Sequence, residues 1–148
     1  MAIDTGGSAC ILSAGPDRGR DGENAMPFKA DIQALCDRMA AAYVSGDAAG
    51  CAAVFTEDAV LLSPYAAAAR SRAAIEALHR VWTAGGGGKK SFDVIEAQAD
   101  GDFGWCLIAF AEGDVTGAGK TLAIVRRQPD GAWLIHRASL CADIPPLA

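Results

Sequence analysis

Apolar residues recur along this chain at two different periods. In the first half they fall three and four apart. Phe28, Ile32, Leu35, Met39 and Tyr43 lie at spacings of 4, 3, 4 and 4. That is one face of a helix, expected from Pro27 to about Ser45, with Pro27 in its first turn where no donor is lost. Gly46 ends it, and Asp47 can cap a short second helix to about Val54. "DAVLLSP" at 58–64 reads as a strand stopped by Pro64. Ser71 is placed to cap a third helix. There Ile75, Leu78, His79 and Trp82 follow the i, i+3, i+4, i+7 pattern, and Glu76 and Arg80 pair on the polar side. Gly85 to Gly88 end this helix.

The period then changes to two. "KSFDVIEAQA" reaches a turn at Asp100-Gly101, and "FGWCLIAFAEG" follows. A loop from Asp114 to Gly119 leads to "KTLAIVRR", and Pro129-Asp130-Gly131 leads to "AWLIHRASLC". Three helical segments followed by four strands predict an α+β domain with a curved antiparallel sheet. Residues 1–26 hold no sustained period and carry Gly6-Gly7, Gly15-Pro16, Gly19 and Gly22. They read as a flexible, disordered leader with at most a short strand at Cys10–Leu12. A single domain is expected over 27–144.

Composition narrows the partners. The 148 residues suit one domain, and a content that is 51% hydrophobic and 21% charged suits a sizeable core. No apolar run approaches the roughly 18 residues of a membrane helix, and Cys10–Leu12 is too short for a signal peptide. No membrane partner and a cytoplasmic location are the expectation. A net charge of −5, with only Lys89-Lys90 and Arg126-Arg127 as basic pairs, argues against nucleic acid. Both pairs read as solvated strand ends. The five cysteines include no C-x-x-C, and the two histidines form no i, i+4 ligand pair, so no metal or other cofactor is expected. "GGGGKKS" at 85–91 lacks the first glycine and the hydroxyl residue of a phosphate loop and follows a helix, so it reads as a flexible connector.

Three phrases, "YVSGDAAGCAAVFTEDAVLLSP", "SRAAIEALHRVW" and "RRQPDGAWLIHRAS", together resemble the NTF2-like superfamily. The likeness is nearest to its SnoaL-like polyketide cyclase and ketosteroid isomerase branch and covers roughly residues 28–142. The resemblance implies a cone-shaped, cystatin-like fold, with three N-terminal helices wrapped by the sheet and an apolar pocket at the open end. It also implies a homodimer through the outer sheet face. Matching the phrases puts Trp105, Leu134, His136, Ala138 and Leu140 on the inner face. Trp133, Ile135, Arg137 and Ser139 then face out, and Cys106, Ile108 and Phe110 lie near a dimer seam.

The same resemblance shows departures. Ser63 stands where ketosteroid isomerases place their catalytic Asp. Met39 aligns with their helix tyrosine, with Tyr43 one turn on, and Lys120 or Thr121 falls where the second acidic group is expected. A typical steroid-isomerase mechanism is therefore not expected, and the carboxylate–arginine–carboxylate set of limonene-type epoxide hydrolases is absent. His136 is the candidate catalytic residue, since it titrates near neutral pH and can act as acid, base or polar anchor. Its carboxylate partner is left open among Asp93, Glu96, Glu112 and Asp114. Met39, Tyr43, Ser63, Tyr65, His79, Trp82, Trp105, Leu134 and Leu140 are the candidate substrate-binding residues. Two functions stay open. One is a cofactor-free isomerase, cyclase or lyase acting on an apolar carbonyl compound. The other is a non-enzymatic ligand-binding or assembly module.

Overall fold

A computed structural model describes residues 18–113 and 117–143. Among these residues the chain forms three helices and six strands. They are α1 (Arg18–Ser45), α2 (Ala48–Ala53), β1 (Phe55–Ser63), β2 (Ala66–Arg70), α3 (Arg72–Trp82), β3 (Ser91–Asp100), β4 (Phe103–Glu112), β5 (Gly117–Arg127) and β6 (Trp133–Ala142). The α+β class and the three helices match expectation. The helix α1 starts earlier than expected: residues 18–26 are helical rather than leader, and Pro27 lies inside the helix. The suggested strand at Cys10–Leu12 lies outside the described residues.

Local chemistry explains the helix boundaries. The Asp47 carboxylate accepts from Gly50 N at 2.9 Å and opens α2. The Ser71 hydroxyl accepts from Ala74 N at 3.1 Å and opens α3. Each satisfies an N–H that has no partner inside its helix. The apolar stripe of α1 is buried as its spacing requires: Phe28, Ile32, Leu35, Cys36 and Tyr43 all turn inward.

The strands form one sheet in the order β2-β1-β6-β5-β4-β3. It is mixed rather than wholly antiparallel, because β1 runs parallel to β6. Strand β2 was not expected. Its alanines carry little strand propensity, and it forms by folding back on β1 through the turn at Pro64 and Tyr65. Bulges bend the sheet over α1. One leaves Ile95 unpaired against β4, and another leaves His136 unpaired against β5.

The continuous register of β4 and the bulge in β6 decide which side chains face inward. In β4 the buried residues are Gly104, Cys106, Ile108 and Phe110, while Trp105 is 39% exposed on the outer face. The expected parity of this strand is therefore reversed, and Cys106, Ile108 and Phe110 are core rather than seam. A one-residue slip turns every side chain over. In β6 the bulge at His136 switches the parity partway. Ile135 is buried before it, and Ala138 is buried after it. Trp133 also turns inward, edge-on to Phe28 with ring centroids 4.9 Å apart. Arg137 and Ser139 face out as expected.

Two close approaches hold the layers together. Gly87 lies so near the end of α1 that a Cβ there would come 1.7 Å from the Tyr43 carbonyl oxygen. Within the glycine run Gly87 thus touches α1, while Gly85, Gly86 and Gly88 stand in open space. Along the free edge of β3, the Gln33 side chain works like a strand residue. It donates to Phe92 O and accepts from Val94 N, both at 2.9 Å. Lys29 Nζ donates to Ile95 O at 3.2 Å just beyond.

Candidate functional site

The concave face of the sheet does not close fully on the helices. A cavity of about 40 Å³ remains, lined by Cys36, Met39, Phe55, Leu61, His79, Trp82, Lys90, Phe92, Ile108, Thr121, Ile135, Ala138 and Leu140. Next to it lies a more open recess of about 210 Å³, lined by Tyr43, Tyr65, Trp82, Glu112 and Leu140. Trp82 and Leu140 line both, so the two spaces adjoin. Even together they fall short of the roughly 300–1,000 Å³ typical of drug-sized ligands. Any occupant is small.

Two basic groups reach this apolar space. His79 comes from the last turn of α3 and is 1% exposed. Its Nδ1 lies 2.8 Å from Ile75 O, and since a carbonyl can only accept, Nδ1 carries the proton. Nε2 is then the acceptor nitrogen of the neutral ring. The rings of Tyr43, Phe55 and Trp82 surround it at 6.5, 6.4 and 5.1 Å. Burial pushes its pKa below the ordinary histidine value, and the nearby Lys90 charge adds to this, while the Ile75 bond opposes it.

Lys90 is the second group. It immediately precedes β3 and turns in under the end of α1. Its Nζ lies 4.6 Å from the Tyr43 ring centroid, 5.3 Å from Phe92 and 5.5 Å from Phe110. It is ion-paired with the Glu112 carboxylate, and their side chains are 5% and 18% exposed. Burial pushes the ammonium down from 10.5 to about 8, with Cys51 opposing. The pair joins the two spaces, because Lys90 lines the inner cavity and Glu112 lines the outer recess.

Lys90 was not among the expected site residues, and Glu112 was expected only as one of four acids open to partner His136, yet the signal for both existed. Lys90, Phe92 and Val94 share one parity of β3, and Cys106, Ile108, Phe110 and Glu112 share one parity of β4. Both runs are inward. Glu112 was left open as a partner for His136, with no face of β4 assigned to it. Reading Lys89-Lys90 as a solvated strand end hid the lysine.

Six of the expected residues come together. Met39, His79, Trp82 and Leu140 line the inner cavity, and Tyr43 and Tyr65 join Trp82 and Leu140 around the recess. Ser63 instead holds the β1–β2 turn, where its hydroxyl accepts from Tyr65 N at 3.1 Å. Leu134 lines neither space, and Trp105 is outside.

His136 also lies outside. The bulge turns it to the outer face, where Nδ1 is 2.9 Å from Thr56 Oγ1 and receives the Arg137 guanidinium at 3.3 Å. The nearby carboxylate is Asp58 at 3.7 Å, which is itself held by Arg126 at 2.9 Å. Of the four acids expected to partner it, Asp114 lies outside the described residues and Glu112 pairs with Lys90. Burial and the charges of Arg137 and Arg126 lower the His136 pKa, and Asp58 partly offsets them. The Asp58 carboxyl is itself held below its ordinary range, chiefly by the Arg126 hydrogen bond.

The interior thiols are poor nucleophiles. Burial pushes Cys36 and Cys106 up to about 12 and Cys51 up to about 11, and the thiolate is the reactive form. Among the described residues, no group of three or more His, Cys, Asp or Glu could hold a metal ion. No described helix is long and apolar enough to cross a membrane.

Comparison with solved structures supports the fold. A domain of unknown function with a cystatin-like fold from Nostoc punctiforme is 19% identical, with 82% of this chain and 79% of that one covered and a TM-score of 0.68. A ketosteroid isomerase-like protein from Erwinia carotovora atroseptica is 20% identical over 78% and 96% of the two chains, at a TM-score of 0.63. The ActVI-ORFA protein from Streptomyces coelicolor is 21% identical over 82% and 99%, also at 0.63. A search among curated protein sequences found no match. The model of the SnoaL-like domain matches residues 36–136, which run from the middle of α1 to the bulge in β6. By that match and its mixed, curved sheet, the chain belongs to the SnoaL-like family within the NTF2-like superfamily.

Proposed function

We propose that the protein binds a small, largely apolar carbonyl compound in the recess between Tyr43, Tyr65 and Trp82 and moves a proton on it without a cofactor. The family suggests small-molecule binding or isomerase- and cyclase-type chemistry. One observation carries the finer reading: the buried Lys90–Glu112 pair at the junction of recess and cavity. The Lys90 ammonium is positioned to donate to a carbonyl oxygen. Glu112 can then take a proton from the adjacent carbon. A fixed cation beside developing negative charge, against largely apolar walls, lowers the barrier to enolisation. The proton-moving role expected of His136 passes to this pair, because His136 lies on the far side of the sheet.

The test follows deuterium exchange at the carbon next to the carbonyl in cyclohexanone, butanal and 2-cyclohexenone. Wild type accelerates exchange by 10²-fold or more, on the order expected of a positioned base. Glu112→Gln loses this and still quenches on binding, as read by tryptophan fluorescence. Absence of both exchange and binding across these probes rules the reading out.

A second reading rests on a separate observation. Phe103, Trp105, Leu122 and Ile124 are 49%, 39%, 56% and 43% exposed on adjoining β4 and β5. Neighbouring exposed apolar groups of this size fit an interface. We propose that this outer face pairs two copies of the chain, whether or not the interior is catalytic. Light scattering at micromolar concentration should give a dimer mass, and Ile124→Asp should give a monomer. A monomeric wild type would remove this reading.

A further inference from the structure

We infer that Lys90 acts as an amine nucleophile, holding a small aldehyde or ketone as an imine on Nζ. This rests on the carbonyl-binding reading above and changes how that carbonyl is activated.

Three observations support it. Lys90 Nζ is enclosed by the rings of Tyr43, Phe92 and Phe110, so water does not stabilise its charge. A recess large enough for a small carbonyl compound lies at the other end of its ion pair. Glu112 is in direct contact, so one carboxyl can relay every proton the reaction needs. A lysine desolvated among apolar walls is the kind that attacks carbonyl groups. The titratable groups facing it are Tyr43 from α1, Cys51 from α2, His79 from α3 and Glu112 from β4. Burial leaves the ammonium near 8, so roughly a tenth is neutral at pH 7, far more than for an exposed lysine.

The step balances without any other reactant. Within the pair, Glu112 takes one proton from the ammonium and leaves neutral Nζ. The nitrogen lone pair attacks the carbonyl carbon, a C–N bond forms and the C=O π electrons move to oxygen. Glu112 gives its proton to that oxygen and takes one back from nitrogen, which yields a neutral carbinolamine. It then protonates the hydroxyl, the C–O bond breaks, water leaves and a cationic imine remains. The Glu112 carboxylate can now remove the adjacent C–H proton to give an enamine. The positive nitrogen stabilises the electrons left behind better than a hydrogen-bonded oxygen does. Reprotonation at another carbon and hydrolysis complete an isomerisation.

The full chain is incubated with butanal, benzaldehyde or cyclohexanone, then reduced with sodium borohydride and mapped by peptide mass. Label is expected on Lys90 at least about tenfold above Lys29, Lys89 and Lys120, with a yield that rises between pH 6.5 and 8.5. Equal labelling of all lysines, or none on Lys90, overturns the inference. Deuterium exchange with butanal and cyclohexanone, the two probes with a C–H next to the carbonyl, separates it from the parent reading. Lys90→Arg keeps the charge but cannot form an imine, so exchange should vanish. If Lys90→Arg still exchanges, the imine is wrong and carbonyl binding with proton transfer stands. If wild type neither binds nor exchanges, both fall. Mapping of wild type alone decides the point if the variant does not fold.

Discussion

Lys90 is a charge where the surrounding residues are apolar, and its stability depends on Glu112. Taking two ions out of water costs several kcal/mol each, which their mutual attraction offsets only while both are present. Glu112→Ala should therefore destabilise the fold by about 3–5 kcal/mol at pH 7, and Lys90→Met with Glu112→Leu should recover most of it. Urea unfolding of the three proteins checks this. The penalty should narrow toward pH 9, because the Lys90 pKa falls from 10.5 unfolded to about 8 folded. The folded state thus binds fewer protons in that window, and deprotonation removes the buried charge. The histidines follow the same sign at lower pH. Both His79 and His136 have pKa values depressed below 6.5 in the fold. Their contribution is complete above that value and is lost as pH falls through it, when the unfolded chain takes up protons first. Thermal melts should decline from pH 7 to pH 5, and His79→Gln should flatten the decline. At this scale the sequence showed Met39, Tyr43, His79 and Trp82 through their helical spacing. Lys90 and Glu112 were legible only to a correct parity, which no pattern within a single strand can supply.

Elements account for where parity failed. A bulge adds one residue to one strand, and every side chain beyond it changes face. In β6 that residue is His136, so Trp133 and Ile135 point in, and then Ala138 and Leu140 do. Alternation alone gives no sign of the switch. The bulge also places His136 beside Thr56, whose side chain is buried. His136→Ala should leave that hydroxyl short of a partner and cost about 1–3 kcal/mol, with carbonyl binding unchanged. Weakened binding at full stability would return His136 to the site. The helices were easier to read, because caps such as Asp47 and Ser71 are local. The strand β2 was not, since four alanines become a strand only by pairing with β1.

At the scale of the molecule, the fold was legible because the order of helices, turns and strands survives local errors. Three helical stretches and a four-strand meander leave few ways to bury both apolar faces. The site was less legible, because it lies where β3, β4 and the ends of α1 and α3 converge. No segment alone records that meeting. One feature of this assembly bears on behaviour at high concentration. The strand β3 ends the sheet, and unpaired edges invite strands from other molecules. The amide of Gln33 occupies the edge groups at Phe92 and Val94, so α1 serves as a surrogate neighbour that cannot be extended. Gln33→Leu would keep most of the packing but reopen that edge. The expected outcome is a circular dichroism spectrum like the wild type's at low concentration. Thioflavin-positive aggregates should then appear on warming at concentrations the wild type tolerates. The helix that fills the interior thus also keeps the chain from adding strands end over end into fibres, a hazard that sheet-rich proteins must block somewhere along their rim.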